Sequence, residues 1–174
     1  WTPTAHGPGF IHSFNGPHSL FSDTIRSLRI LCLADQLGHV LMGEGDKAHN
    51  LLGRAIEHAI TTARFNVYYG EARDTWDLAG RVVHESIFNT KDGNYRCAST
   101  QQGYSAFSTW TRGLSWVLTG YAEQLEFFRT IKGSQIEPHG ISKRKLMTMM
   151  ERAAIAAAEF HIENSFADGI PFWD

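Results

Sequence analysis

The stretch LLGRAIEHAITTA (51–63) decides the fold class, because its apolar residues recur every three or four positions. That spacing predicts an amphipathic helix, which we expect to begin near Asp46. Small alanine side chains in its apolar stripe would let a neighbouring helix approach closely. The stripe consists of Leu52, Ala55, Ile56, Ala59, Ile60 and Ala63.

Three further segments carry the same helical spacing. The first is predicted to begin at Ser22, a good N-cap residue, and to end at the glycines at 43 and 45. The others are predicted from Ser108 to Thr130 and over 142–169, which contains the alanine-rich run ERAAIAAAEFHIENSF. The chain is therefore predicted to be all-α, built from helical hairpins joined by long connections.

The remaining segments lack helical spacing. Residues 1–18 contain three prolines and three glycines without a period, which is typical of irregular structure. In 67–101, the loosely alternating VVHESIF (82–88) and the turn residues KDGN (91–94) predict a loop with a small β-hairpin. Long connections of this kind are where functional sites are often built.

The composition indicates one globular domain. The 174 residues are 43% hydrophobic and carry a formal charge of −2, which is enough to bury one substantial core. Cations and anions are interspersed, so we expect neither a nucleic-acid partner nor a membrane surface as partner. No apolar run reaches ~18 residues, the length that a membrane-spanning helix needs.

Cysteine and histidine spacing does not indicate a metal centre. Cys32 and Cys97 lack a CxxC or Cys–His spacing, and we expect two buried thiols. His6, His12 and His18 lie six positions apart, which favours neither one helix face nor one strand face. We therefore expect these histidines to be loop residues.

The stretch STQQGYSAFSTWTRG (99–113) gathers amide, aromatic and guanidinium groups at the start of the predicted third helix. Arg112 and Trp116 are four residues apart and would share one helix face. A guanidinium beside an indole suits a planar ring that bears a carboxylate. Gln102 has an amide suited to sugar hydroxyls or a water molecule. The alternative is that the tryptophans are core residues and that Arg112 forms a salt bridge.

Asp23 and His84 are candidate acid–base groups, although the residues alone leave two readings of each open. Asp23 follows Ser22 in the predicted first helical turn. There its carboxylate either interacts favourably with the helix dipole or serves as a general acid. His84 lies among apolar neighbours in the sequence. It is either a buried structural histidine or a site residue.

Three segments together resemble one enzyme family. NYRCASTQQGYSAFSTWTRGLSW (94–116), FSDTIRSLR (21–29) and DGIPFWD (168–174) are similar to the unsaturated glucuronyl hydrolases, glycoside hydrolase family 88. The unsaturated rhamnogalacturonyl hydrolases are more distant relatives. The resemblance extends over essentially the whole chain, and it implies an (α/α)6 barrel of six helical hairpins. We therefore expect residues 1–174 to form part of a single, longer catalytic barrel domain.

The resemblance also implies a function. The expected substrate is a lyase-generated oligosaccharide with a 4,5-unsaturated uronic acid at its non-reducing end. The expected reaction is hydration of the C4=C5 enol ether, without a metal or an organic cofactor. An unsaturated rhamnogalacturonyl hydrolase with the same chemistry is the first alternative, and a non-catalytic helical sugar-binding module or degenerate half-barrel is the second. The expected setting is a bacterial periplasm or cytoplasm.

The resemblance assigns roles to five residues. Asp23 matches the aspartate that acts as general acid and base, while His84, Gln102, Arg112 and Trp116 match substrate-binding positions. The family also has a second aspartate before the acid–base residue. No acidic residue stands in 1–22, so that aspartate either lies upstream or is lacking.

Overall fold

Two helical hairpins lying side by side form the body of the molecule. The computed structural model describes the backbone of residues 1–174 and every side chain except that of Glu44. Helix α1 packs against α2, and α3 packs against α5. Contacts between α1 and α3 and between α2 and α5 join the hairpins, so α1 and α3 form one layer and α2 and α5 the other. The α-helices are α1 (Leu28–Gln36), α2 (Leu51–Phe65), α3 (Thr111–Thr130), α4 (Gly133–Ile136) and α5 (Lys143–Glu163).

Short strands and 3-10 helices occupy the connections. Strands β1 and β2 pair with each other, as do β4 and β5, and the third sheet has the order β3-β6-β7 with antiparallel pairing throughout. The 3-10 helices are Ser22–Ser27, Glu44–Asp46 and Glu137–His139. The strands are β1 (Thr2–Thr4), β2 (Gly7–Phe10), β3 (Ser19–Phe21), β4 (Leu41–Met42), β5 (Ala48–His49), β6 (Glu85–Phe88) and β7 (Tyr95–Ser99).

The predicted stripe of α2 lies in the core. Five of its six members are buried, and Ile60 is half-buried against the same cluster. The helix begins later than predicted, at Leu51, because Asn50 is the N-cap and accepts a hydrogen bond from the Gly53 amide at 2.7 Å. The helical fold class is confirmed, with the strands confined to small sheets at the periphery.

The first predicted helix is shorter than its sequence pattern. Residues 22–27 form a 3-10 helix, α1 follows, and the chain leaves the helix at Gly38, whose φ is +77°. The N-cap position belongs to Phe21, and the buried Ser22 hydroxyl makes no hydrogen bond. The capping role predicted for Ser22 is therefore wrong. The reason is that β3 runs directly into the 3-10 helix, and the Ser22 amide donates to the His84 carbonyl at 2.8 Å.

The later helices begin close to their predicted starts. Ser142 caps α5 by accepting a hydrogen bond from the Lys145 amide. Helix α5 ends at Glu163, six residues before the predicted limit. Helix α3 begins at Thr111 instead of Ser108, because Ser105 and Ser108 hydrogen-bond to each other in a turn.

The β-hairpin predicted over 82–97 is present as β6 and β7. Its third partner, β3, and the β1–β2 hairpin were not predicted, because segments of three or four residues carry too little alternation to be recognised. One thiol also differs from expectation. Cys32 is buried in the core, but Cys97 on β7 is exposed.

Two glycines of α3 let it approach the 3-10 helix that carries Asp23. A Cβ atom on Gly120 would lie 2.8 Å from the backbone carbon of Ile25 and 2.9 Å from the amide nitrogen of Arg26. A Cβ atom on Gly113 would lie 3.0 Å from the Ser22 hydroxyl oxygen. Gln124 adds a hydrogen bond to the Ile25 carbonyl at 3.0 Å. This contact fixes the position of the 3-10 helix on α3.

The close approach at Gly120 leads to a stability prediction. Replacing Gly120 with Ala is expected to lower the free energy of unfolding by ~1–3 kcal/mol, because overpacking against backbone outweighs the higher helix propensity of alanine. Urea denaturation measures this difference. Gly133→Ala is the control, since a Cβ atom there meets only side-chain atoms at 3.5 Å or more. Equal stability of Gly120→Ala and the parent protein would contradict the packing described.

His58 on α2 makes stability depend on pH. Complete burial lowers the pKa of His58 from 6.5 to about 3, and Nδ1 accepts a hydrogen bond from the Ile11 amide at 3.0 Å. Below pH 6.5, His58 therefore binds a proton in the unfolded chain but not in the folded chain. We expect stability to fall by about 1.4 kcal/mol per pH unit from His58 alone as the pH drops from 6.5 towards 3. Urea titrations at pH 7 and pH 5 should show a smaller decrease for His58→Gln, and an equal decrease would contradict the assignment.

Candidate active site

Asp23 and His84 come together where β3 meets the 3-10 helix. Strand β3 pairs with β6, and this pairing places the Asp23 carboxylate beside the imidazole just before β6. His84 Nε2 lies 3.3 Å from Asp23 Oδ2, within ion-pair distance but not aligned as a hydrogen bond. The side chain of His84 is 1% exposed and that of Asp23 is 35% exposed. A ligand can therefore reach the carboxylate of Asp23. The imidazole of His84 is buried behind that carboxylate.

The surroundings of His84 set its tautomer. Its Nδ1 accepts a hydrogen bond from the Gln101 amide at 3.1 Å and lies 3.1 Å from the Thr100 hydroxyl oxygen. The Gly103 amide donates to that hydroxyl at 2.8 Å, which leaves the Thr100 proton free to point at Nδ1. Because Nδ1 is an acceptor, the N–H of a neutral imidazole is on Nε2 and faces Asp23.

Glu85 fixes the loops on both sides of the site. Its buried carboxylate accepts hydrogen bonds from Asn15 Nδ2 at 2.8 Å, from Gln101 Nε2 at 3.0 Å and from the Ser19 hydroxyl. Burial raises the pKa of the Glu85 carboxyl, but these hydrogen bonds outweigh burial and hold the pKa below its usual range. The carboxylate is thus ionised at neutral pH and holds Gln101 against His84.

Trp110 and Arg112 form the second side of the site. The Trp110 ring is buried, with its centre 4.5 Å from that of His84. The Arg112 guanidinium lies 4.8 Å from the centre of the Trp110 ring, and its Nη2 donates to Gln102 Oε1 at 3.1 Å. Arg112 and Gln102 are both exposed. The indole therefore adjoins His84, and an exposed cation and amide lie on the other side of the indole.

Trp116 lies in a different environment from the one expected. It is half-buried one turn further along α3, and the guanidinium covering its ring is that of Arg26, at 4.1 Å. Arg112 stacks on Trp110 instead, so the predicted pairing of Arg112 with Trp116 is replaced by two separate cation–π pairs. The structure thus brings Asp23, His84, Gln102 and Arg112 into one cluster. Trp116 stands beside it with Arg26.

The segment 166–174 returns to the loop that carries Gln102. Asp174 Oδ2 accepts a hydrogen bond from the Tyr104 amide at 2.6 Å, and the Thr111 amide donates to the Trp173 carbonyl at 3.1 Å. A Cβ atom on Gly103 would lie 2.6 Å from Asp174 Oδ2. A residue with a Cβ atom at this position would therefore displace the Asp174 carboxylate.

Trp110, Thr100 and Glu85 are site residues that the sequence reasoning missed. Trp110 lies within STQQGYSAFSTWTRG (99–113), where a tryptophan also fits the role of a core residue. Its position two residues before Arg112, outside the helix, is what turns its ring under the guanidinium. Glu85 could have been suspected as an acidic residue inside an apolar strand, because such a group is buried only with hydrogen-bond partners.

The cluster has the parts that acid–base chemistry on an acidic sugar needs. Asp23 is a reachable carboxylate next to a proton-bearing imidazole, and Arg112 offers a guanidinium for a ligand carboxylate. Within the described side chains, no group of three or more His, Cys, Asp or Glu is arranged to hold a metal ion. No helix in the described chain combines the length and apolar character needed to cross a membrane.

Comparison with known proteins gives the fold. No family model matches the chain. A solved unsaturated glucuronyl hydrolase specific for heparin aligns with 99% of this chain at a TM-score of 0.66 and 20% identity. The chain has the fold of part of an unsaturated glucuronyl hydrolase. The enzyme of this name from Bacillus sp. GL1, responsible for the degradation of glycosaminoglycan, gives a TM-score of 0.62 at 21% identity over the whole chain.

A curated relative agrees with the structural neighbours. The unsaturated glucuronyl hydrolase of Formosa agariphila is 27% identical over 128 residues, which is 72% of this chain. Its aligned part is 25% of that protein, and the chain covers 38% and 35% of the two solved structures. The chain therefore resembles these hydrolases in sequence and in fold, and it spans between a quarter and two fifths of their length. Its helices correspond to part of an (α/α)6 barrel.

Proposed function

We propose that this chain forms part of the active site of a glycoside hydrolase that acts on unsaturated uronyl oligosaccharides. Asp23 is the general acid and base, Gln102, Arg112 and Trp116 bind the unsaturated sugar, and the buried His84 and Trp110 position these groups from behind. The observation that carries the proposal is the Asp23 carboxylate, open to solvent on one side and 3.3 Å from a buried imidazole on the other. The likeness in sequence and fold to unsaturated glucuronyl hydrolases supports the same reaction class.

In the proposed reaction, Asp23 donates its proton to C4 of the enol ether, and positive charge develops at C5. Water attacks C5, and its proton passes to the Asp23 carboxylate. The resulting hemiketal opens and expels the rest of the oligosaccharide. His84 lies behind the Asp23 carboxylate with Nε2 facing it, while Arg112 binds the sugar carboxylate and Gln102 orients that guanidinium.

Residues 1–174 are proposed to belong to a single catalytic barrel domain that is longer than the chain described here. The fraction of the solved relatives that it covers supports this proposal. The remaining helices would then close the open side of the site and supply its further groups. A second carboxylate near Asp23 is one such group, because a like charge would help to keep Asp23 protonated.

The proposed chemistry is tested with the protein as isolated from its source and an unsaturated uronyl disaccharide in heavy water enriched in ¹⁸O. Hydration places solvent deuterium at C4 and ¹⁸O at C5 of the released acid. Ordinary glycoside hydrolysis places ¹⁸O at the anomeric carbon and first releases an acid that still carries the C4=C5 double bond. Mass spectrometry and NMR of the product distinguish the two, and a product without deuterium at C4 would contradict the proposal.

The substrate is proposed to be a glucuronyl and not a rhamnogalacturonyl disaccharide. The names of the relatives support this choice. Comparing kcat/KM on the two disaccharides separates the two activities, and a higher value on the rhamnogalacturonyl compound would favour the alternative.

A non-catalytic sugar-binding module is the alternative from another class. This alternative predicts ligand binding that depends on Arg112 but no product from the natural full-length protein.

A further inference from the structure

A cavity of about 650 Å³ lies between α2 and α5, and it shares no residue with the candidate active site. Its walls are the second half of α2, the loop that follows α2, and the first turns of α5. The volume falls within the range typical of pockets that bind small organic molecules. Helices α2 and α5 form the layer opposite the one that carries Arg112.

The charged groups around this cavity are mostly positive. Five cations stand against two carboxylates, and both carboxylates already have partners. Glu71 pairs with a lining arginine, and Asp77 accepts hydrogen bonds from the amides of Gly70 at 2.9 Å and Arg73 at 2.6 Å. The cations are Arg64, Arg73, Arg144, Lys145 and Arg152.

Two of these cations have no stabilising role in the described structure. Residues 143–145 are all basic and form the first turn of α5, where the helix dipole disfavours positive charge. Lys143 has a structural role, because its Nζ donates hydrogen bonds to the carbonyls of Arg129 at 2.9 Å and Ile131 at 2.6 Å, at the end of α3. The exposed side chains of Arg144 and Lys145 make no ion pair or hydrogen bond with any described side chain.

The floor of the cavity is apolar. Ile60, Ala63, Val67 and Met149 contribute aliphatic surface between the two helices. Tyr69 lines the wall, and its ring is held under the Arg152 guanidinium at 4.0 Å. A site with an apolar floor and a cationic rim selects a ligand that has both an apolar face and an anionic group.

We propose that this cavity binds an organic anion whose carboxylate or sulfate lies at Arg144 and Lys145 and whose apolar body rests on the floor between α2 and α5. An anion at this position also meets the unpaired amides at the start of α5, which strengthens the attraction. Such a ligand is either a fatty carboxylate or an acidic saccharide. The site does not depend on the proposed hydrolase function, because none of its residues belongs to the candidate active site.

Isothermal titration calorimetry with three probes tests the site and identifies the source of the ligand. The probes are decanoate, a sulfated disaccharide without the 4,5 double bond, and inorganic sulfate. We expect one saturable site for decanoate or for the disaccharide, and no binding of sulfate at the same concentration. The organic probe that binds shows whether the ligand is aliphatic or a saccharide. Binding of neither organic probe would overturn the proposal.

Two variants locate the binding within the cavity. Arg144→Gln combined with Lys145→Gln is expected to weaken binding at least roughly tenfold, since hydrogen bonds to charged groups are the strong ones. Thr148→Trp keeps both cations but fills the cavity from an exposed helix position, and it should abolish binding. Lys91→Gln, in the exposed β6–β7 turn, is the control for net charge.

The affinities of the variants test the cavity site separately from the proposed enzyme activity. Unchanged affinity in both cavity variants would overturn the site, whatever the catalytic activity of the protein. Turnover of an unsaturated disaccharide should remain unchanged in the Arg144 and Lys145 double variant, because neither residue belongs to the candidate active site.

Discussion

Replacing Asp23 with Asn should lower the turnover of an unsaturated uronyl disaccharide by ~10²–10⁴-fold, because one positioned general acid typically contributes a factor of this size. Asparagine keeps the shape of the side chain but can neither donate the proton to C4 nor accept one from water. No described hydrogen bond to the backbone depends on the Asp23 side chain, so stability should change little. The initial rate of loss of ultraviolet absorbance measures turnover.

A matched control removes a carboxylate outside the site. Asp35 lies on α1, and its only described partner is the amide of Asn50 at 3.4 Å. Asp35→Asn should therefore leave the rate within about twofold of the parent protein. Full activity of Asp23→Asn, or an equal loss in Asp35→Asn, would show that Asp23 is not the acid–base group.

Replacing Arg112 with Ala should raise KM by ~10–100-fold, with a smaller change in kcat. The guanidinium is proposed to hold the sugar carboxylate in the ground state and in the transition state alike, and charged hydrogen bonds contribute ~1.5–3 kcal/mol. Its loss also frees the amide of Gln102, which accepts from Arg112 at 3.1 Å. Steady-state kinetics over a range of disaccharide concentrations separates KM from kcat.

Arg29→Ala is the control for Arg112→Ala. Arg29 is an exposed arginine on α1 that pairs with Glu123 of α3, away from Gln102. Its removal should leave KM unchanged, because an exposed ion pair contributes little to stability and nothing to the ligand. A KM that is unchanged in Arg112→Ala would contradict the role proposed for this side chain.

The sequence predicted the helical layers because their apolar stripes are long. In α2 the stripe covers about three turns, so its period is clear, and the residues of α2 in the main hydrophobic core are those that the period selects. Helix ends were less accurate. Ser22 has the chemistry of a cap, yet the pairing of β3 with β6 extends to its amide and places it inside the 3-10 helix. Long-range pairing of this kind leaves no local signal.

The candidate site was predicted only in part, because contacts between residues distant in sequence also leave no local signal. Arg112 and Gln102 were expected to lie near each other, and the structure joins them by a hydrogen bond. The contact of Asp23 with His84, which are 61 residues apart in sequence, depends on the pairing of β3 with β6, and spacing alone gave no reason for it. Helical spacing favoured Trp116 as the partner of Arg112, but α3 begins only at Thr111, and the extended residue before it brings Trp110 under the guanidinium.

The central claim is that the protein hydrates a 4,5-unsaturated uronic acid, and the most direct test follows the conjugated double bond. The protein as isolated from its source is mixed with unsaturated glucuronyl disaccharide, and absorbance in the ultraviolet is recorded over time. We predict a steady loss of absorbance that disappears in the Asp23→Asn variant. Constant absorbance with the natural protein, on the glucuronyl and rhamnogalacturonyl disaccharides alike, would contradict the claim and leave the cluster around Arg112 as a binding site.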